Sequence, residues 1–304
     1  MQPWNFKSFN HPTARRKHRS ASDYSGKPPL TSVLIGGLVT TTLVLALYSW
    51  TSNKGICSKG RPLNRNEAKI ATEFDEMASP LVAILNYATS SVAAQQSRAE
   101  IRVAFDVLQS LAPCNFLVFG IGYDSLMWDS LNPRGTTVFL EEDAEWARSV
   151  LLRYPVLRAY TVRYPTRMSE ADGLLSSYKK ECRTSPSARA SLKANTQCKL
   201  ALNNLPDEVY DRDWDVIMID GPKGYFAAAP GRMAVIYSAA IIARTRRRSG
   251  VTHVFLHDVD RKVEKLYAKE FLCMKNRVSA VGKLWHFAIP PALDLNESLS
   301  DLCK

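Results

Sequence analysis

The stretch FLVFGIGYDSLMWDSLNPRGTTVFLEED, residues 116 to 143, constrains the fold more than any other part of the chain. It predicts an apolar strand over Phe116–Phe119, a glycine turn at Gly120-Ile121-Gly122, a short helix, and a second strand over Thr136–Leu140. Three acids close the second strand: Glu141, Glu142 and Asp143. A nucleotide-like cofactor needs its βαβ unit in this order. Glycines let the backbone approach a ligand, the helix N-terminus offers free N–H groups, and a carboxylate ending the second strand accepts from a ribose diol. About 20 residues separate the turn from the acids, as such a unit requires. A dinucleotide fingerprint wants a third glycine near position 125, where this chain has Ser125. S-adenosylmethionine, which carries adenosine but no phosphate, fits better. Gly120 and Gly122 are then expected beside the cofactor and Glu141, with Glu142 next, on the ribose. Asp124 and Ser125 belong at the methionine end or cap the helix.

The rest of the chain continues the alternation. Leu157–Val162 resembles a third strand and Ser169–Lys180 a helix. Asp213–Asp220 (DWDVIMID) suits a fully buried parallel strand, Met233–Arg244 a helix, and Thr252–His257 another buried strand. Val259–Phe271 has amphipathic spacing, and Val278–Ile289 looks like a terminal β-hairpin. The fold class is therefore α/β, a doubly wound, mostly parallel sheet. In such sheets ligands bind at the carboxyl ends of the strands. Gly120–Ser125, Glu141–Asp143, Asp220–Tyr225 and His257-Asp258 come after four different strands and should meet at one edge.

The N-terminal region reads differently. Residues 1–29 carry Lys7, Arg15, Arg16, Lys17, Arg19 and Lys27 against Asp23 alone, a composition that builds no core. Leu30–Trp50 contains no charged residue and is long enough to cross a bilayer as a single transmembrane helix. The bases before it keep that end cytosolic and put the residues after Trp50 in a lumen, a type II arrangement. Residues 51–66 read as a stem, 67–290 as the lumenal domain, and 291–304 as a polar tail with a glycosylation sequon at Asn296. Helical periodicity covers Glu67–Ser97, broken near Pro80, and Ala99–Leu111. All six cysteines lie beyond the span, where disulfides are permitted. Their pairing is open; Cys182 and Cys198 flank a polar segment whose closure would restrain it. The net charge of +11 suggests an anionic partner. Nucleic acid is disfavoured by the anchor, and the densest run, Arg244 to Arg248, reads equally as a solvated face.

The strings FLVFGIGYDSLMW, TVFLEED, WDVIMIDGPKGY, APGRM, HVFLHDV and EFLC resemble the plant cell-wall methyltransferase family that includes glucuronoxylan 4-O-methyltransferases. The resemblance covers roughly residues 65–290. It implies a sheet of the S-adenosylmethionine-dependent methyltransferase type in a type II protein of the Golgi membrane. It also implies methyl transfer from S-adenosylmethionine to O4 of glucuronic acid on an acidic cell-wall polysaccharide. LNPRGTTVFLEED, SEADGLLSSY, LPDEVYD and VGKLWHF look closer to the branch acting on arabinogalactan than to the branch acting on glucuronoxylan. A further branch is required for normal xylan without clear methyltransferase activity and departs from the glycine motif; Gly120 and Gly122 are retained here. Tyr123 stands where xylan-methylating members commonly have His, which turns the expectation away from xylan.

Methyl transfer from an activated donor asks the protein for positioning and a proton acceptor. Asp220 and His257, each at a strand end, are the candidate bases; the alternatives are that Asp220 orders the GPKGY loop and His257 caps a helix. Asp220, His257 and Asp258 also form a candidate set for a divalent metal. Lys223, Arg232 and Arg261 are candidates for the acceptor carboxylate, with Arg232 first because a guanidinium binds carboxylate bidentately; a structural ion pair is its other reading. Tyr225 is placed to stack on a sugar ring, and Trp128 to do the same or to pack in the core.

Overall fold

The structure is a computed structural model describing residues 80, 83, 84, 86, 87, 90, 95–182, 192–292 and 303. The expected tail, transmembrane helix and stem lie outside these residues, as do Cys57, Asn296 and nearly all of the first expected helix. No helix among the described residues is long and apolar enough to cross a membrane.

Seven strands form one sheet: β1 (Asn115–Phe119), β2 (Thr136–Glu141), β3 (Ala159–Thr161), β4 (Val216–Ile219), β5 (Thr252–Leu256), β6 (Arg277–Val281) and β7 (Leu284–Ile289). Their spatial order is β3-β2-β1-β4-β5-β7-β6. The first five run parallel, and β7 is antiparallel to both neighbours. The terminal hairpin thus extends the sheet, which makes it mixed but mostly parallel. The order reverses between β1 and β4, the topological switch point where such sheets bind ligands.

Apolar residues occupy both faces of each central strand, so alternate side chains enter different cores. Leu117, Phe119, Val138, Leu140, Ile217, Ile219, Val254 and Leu256 face one core, with helices α4 (Ala171–Glu181) and α6 (Met233–Arg244). Phe116, Val118, Phe139, Val216, Met218 and Phe255 face the other, with α1 (Arg98–Leu111), α2 (Ser125–Ser130) and α3 (Ala144–Arg153). Strands covered on both sides need continuous apolar runs, and these have them. Every residue of α6 is buried, which explains its lack of an amphipathic stripe.

Register then does the work of placement. Phe119 pairs with Leu140 and with Ile219, and Ile219 pairs with Leu256. The next residue on each strand, Gly120, Glu141, Asp220 and His257, therefore lies in one row along the carboxyl edge.

Several local expectations change. The third strand is only Ala159–Thr161, a short edge strand. Helix α3 comes directly after the three acids and α5 (Asp207–Asp211) precedes β4; neither was foreseen. The helix expected over Val259–Phe271 is α-helical only as α7 (Lys262–Tyr267), then widens over Ala268–Leu272 and stops at Cys273, whose φ is 69°. Disulfides join Cys182 to Cys198 and Cys273 to Cys303, while Cys114 is a buried free thiol.

Candidate active site

The turn after β1 is packed against the loop after β4. Gly120 has φ +109°, a conformation open to glycine. A Cβ built on Gly221 would lie 2.8 Å from Gly120 Cα, and one on Gly120 would lie 3.1 Å from Gly221 N. Both glycines are needed because the two backbones touch. Beyond them, Ser125 Oγ accepts from Gly122 N at 2.9 Å and closes the turn. Asp124 does not cap α2 with its side chain; its Oδ2 accepts from the Trp128 indole at 2.9 Å. Trp128 is buried edge-on to Phe116 and belongs to the core. Burial, then the charge of Asp220, raises the Asp124 carboxyl above its ordinary value.

The three acids divide their tasks. Glu141 is buried and spends its carboxylate on the backbone: Oε2 accepts from Ile121 N at 3.0 Å, and Oε1 from Glu142 N and Asp143 N at 2.9 Å each. It ties the glycine turn to the end of β2. Asp143 caps α3 by accepting from Glu145 N and Trp146 N. Glu142 is the unfinished one. Its Oε1 accepts from Lys223 N at 3.2 Å, but its Oε2 is buried with no partner. Burial raises the Glu142 carboxyl. The Tyr164 hydroxyl, beyond β3, is also buried and partnerless, and burial followed by the charges of Glu141 and Glu142 raises its pKa. Buried polar atoms are ordinarily bonded. Two orphans beside the acids that end β2 match the needs of a ribose diol, so these residues fit an adenosine-bearing cofactor. Tyr164 was not foreseen, because a tyrosine after a short edge strand gives no periodic signal.

Asp220 and His257 meet in the row. His257 Nδ1 lies 3.0 Å from Asp220 Oδ1, and Gln96 Nε2 donates to Asp220 Oδ2 at 3.1 Å. Burial raises the Asp220 carboxyl, but the His257 hydrogen bond and the Arg232 charge outweigh it and hold it below the ordinary value. For His257, burial lowers the pKa, yet the bond to Asp220 and the charges of Asp220 and Asp258 bring it above the ordinary value. The pair thus favours carboxylate and imidazolium. His257 Nε2 is buried without a hydrogen-bond partner, 3.8 Å from Glu100 Oε1.

Arg232 has a task other than binding an acceptor. It is 3% exposed. Its guanidinium donates to the carbonyl oxygens of Asp220 (2.7 Å), His257 (2.7 Å) and Pro222 (3.4 Å), and to the carboxylates of Asp258 (2.9 Å) and Asp220 (3.2 Å). These bonds clamp the ends of β4 and β5 together and leave the buried guanidinium at most one N–H, on Nη1, for anything else. The same guanidinium borders the candidate metal set. Ligand atoms of Asp220, His257 and Asp258 lie within 4.8 Å of one another. Arg232 Nη2 contacts Asp220 Oδ1 and Asp258 Oδ2, so a divalent ion held by these three residues would share both carboxylates with the protein's own cation.

Arg261 Nη2 forms an ion pair with Asp258 Oδ2 at 2.9 Å, and its Nη1 lies 3.6 Å from Glu264 Oε1, beneath Gly224. Glu264 is fully buried with both oxygens unbonded, and burial raises its carboxyl. Lys223 reaches back across the sheet to Asp143, 3.3 Å from Oδ2, and stays half exposed. Tyr225 is 70% exposed and packs edge-on to Phe226, 48% exposed, with ring centroids 5.2 Å apart. Tyr123 is exposed on the glycine turn and rests edge-on against Trp146 at 5.3 Å. These aromatics rim the same loops that carry Lys223 and the turn.

The sequence model of the IRX15/IRX15L/GXM family matches residues 99–287, which contain the whole row. Arabinogalactan O-methyltransferase 1 of Arabidopsis thaliana is 54% identical over 265 residues, covering 86% of this chain and 91% of that protein. Arabinogalactan O-methyltransferase 2 is 48% identical, covering 90% and 94%, and Glucuronoxylan 4-O-methyltransferase 1 is 46% identical, covering 72% and 76%, both from the same plant. Among solved structures, a methyltransferase-like protein from Silicibacter pomeroyi aligns with TM-score 0.37 and 17% identity over 66% of this chain and 89% of that one, a likeness too distant to argue from. The family match and the extent of the identity make the assignment direct: this chain belongs to the IRX15/IRX15L/GXM family.

Proposed function

We propose that this chain transfers a methyl group from S-adenosylmethionine to glucuronic acid on a plant cell-wall polysaccharide, with arabinogalactan the favoured acceptor and glucuronoxylan next. The observation that carries the reading is the 54% identity along 91% of Arabinogalactan O-methyltransferase 1, which spans every residue of the row. The chain is an O-methyltransferase.

When bound, the cofactor supplies a methyl on a sulfonium, already activated for in-line displacement. The protein's part is to orient and to accept a proton. Glu142 Oε2 and the Tyr164 hydroxyl are the atoms free to take the ribose, while Glu141 holds the backbone of Glu142 and ties it to the glycine turn. Asp220, ionised and partly open to solvent, receives the proton of the acceptor hydroxyl. His257 orients Asp220 from behind and Arg232 fixes the strand ends. Lys223 and Arg261 are the cations left for the acceptor carboxylate, and Tyr225 with Phe226 offers an apolar face to a sugar ring. Residence in the Golgi membrane as a type II protein rests on the uncharged run 30–50 and the bases before it, and two disulfides suit an oxidising lumen.

The test is to incubate the detergent-solubilised chain with methyl-labelled donor and, separately, arabinogalactan and glucuronoxylan. Label should enter arabinogalactan faster, in glucuronic acid. Labelling of neither polymer would overturn the assignment, and faster labelling of glucuronoxylan would reverse the acceptor order.

A further inference from the structure

Both members of the Asp220–His257 pair are gripped from one turn of chain at the start of α1. Gln96, buried, donates from Nε2 to Asp220 Oδ2 at 3.1 Å. Glu100, four residues on and also buried, sets Oε1 3.8 Å from His257 Nε2, the ring atom with no hydrogen-bond partner. Glu100 cannot wander. Its Oε2 accepts from Ser97 N at 2.6 Å, which completes a capping box, and its Oε1 accepts from Lys283 N at 2.6 Å in the β6–β7 turn. That turn is shaped to admit it: Gly282 has φ +53°, and a Cβ there would lie 2.6 Å from Glu100 Oε1. Nothing in capping a helix requires a carboxylate wedged between a hairpin turn and an imidazole.

We propose that Glu100 and Gln96 are positioning residues for methyl transfer, Glu100 holding the His257 ring as counter-charge behind it and Gln96 aiming the second oxygen of Asp220. This rests on the methyltransferase reading above. A base works best when a third group orients its partner, and here two residues of one helix start orient two members of the pair. The groups facing His257 are Asp220 after β4, Asp258 after β5, Arg232 before α6, Asp124 in the glycine turn, and Glu100 on α1. Glu100 is the one that faces Nε2. Burial raises the Glu100 carboxyl, but its bonds to Ser97 and Lys283 and the charge of His257 bring it below the ordinary value, so it stays ionised there.

Glu100→Gln and Gln96→Met should each lower kcat about ten- to hundredfold, with KM for the polymer and the donor dissociation constant within about threefold of wild type. Ser97→Ala, which removes only the hydroxyl of the capping box, should lower Tm by about 3 °C and leave kcat within about twofold. If all three variants lose activity only in proportion to Tm, the role is structural and the proposal is overturned. A readout on the wild type stands whatever the variants do to folding: nitrogen NMR of the His257 ring at pH 7 should show a proton on Nε2. A bare Nε2 there would sink the proposal, whereas an inactive wild type with that proton in place would sink the methyltransferase reading instead.

Discussion

Strands β4 and β5 carry a charged cluster at each end, built from the same kinds of residue and finished differently. At the amino ends, Asp215 Oδ1 takes Arg246 Nη2 at 2.8 Å and Arg248 Nη2 at 3.1 Å, and its Oδ2 takes Asn115 N at 2.9 Å. Asp213 accepts from the backbone of Arg247 and Arg248. The basic run that reads in sequence equally as a surface for anions or a solvated face is a buckle across the bottom of the sheet. At the carboxyl ends, Asp220, His257, Asp258 and Arg232 pair just as closely, yet bare atoms surround them: Gln96 Oε1, Glu142 Oε2, the Tyr164 hydroxyl, His257 Nε2, Arg261 Nη1 and both oxygens of Glu264. Toward the amino ends just two such atoms remain among the described residues, Arg212 Nε beside Asn115 and Glu208 Oε1. A buried polar network that is nearly satisfied serves stability, and one with many open atoms suits completion by a ligand. The two ends of one pair of strands separate those uses.

Asp220→Asn should break the difference most sharply. Turnover should fall on the order of a thousandfold while donor affinity, measured by calorimetry, stays within about threefold. A variant keeping a third or more of wild-type turnover would remove Asp220 from the chemistry. At the other end, Asp215→Asn should destabilise the fold by about 2 kcal/mol in urea unfolding, since it weakens bonds to Asn115 and two arginines, and leave kcat and KM unchanged. A matching loss of turnover would mean the lower cluster is not merely a buckle. Glu142→Gln sharpens the donor side: the donor dissociation constant should rise about tenfold, with kcat at saturating donor preserved. Unchanged binding would move the ribose to another residue.

The smallest effect is a pH slope. His257 has a folded pKa above its ordinary value of 6.5, so its contribution is fully present below 6.5 and is lost as pH climbs through the raised value. Asp220, held below 3.8, contributes above that value and loses its contribution as pH falls through the lowered one. Urea titrations of wild type from pH 6 upward should therefore lose stability with rising pH, and His257→Gln should flatten that slope. An identical slope in both proteins would assign it to other groups.

Much of this was legible because apolar runs ended abruptly in polar residues. Parallel register carries that punctuation into space, which is why Gly120, Glu141, Asp220 and His257 fall in one row. The helix α6 was readable from its unbroken apolar run. What stayed hidden depends on partners remote in sequence. Arg232 looks available after Pro230-Gly231, and only the folded chain brings three carbonyl oxygens around it. Glu100 is visible as the fourth residue of a capping box with Ser97, but its second task depends on a turn 183 residues away. Helix α3 gives a weak periodic signal because only Ala147 and Val150 of its residues are buried. Among the acids, Glu141 reads as the obvious ribose ligand, yet backbone amides claim it and leave Glu142 the open oxygen.

The contact between Gly120 and Gly221 has a mechanical consequence. Side chains between two loops act as cushions, since a rotamer change absorbs a small displacement. Here nothing intervenes, and backbone bears directly on backbone. A displacement of the turn at Gly120 bears directly on Gly221, the residue after Asp220. An added methyl group at either glycine would press on the other's backbone, with no side chain between them to give way.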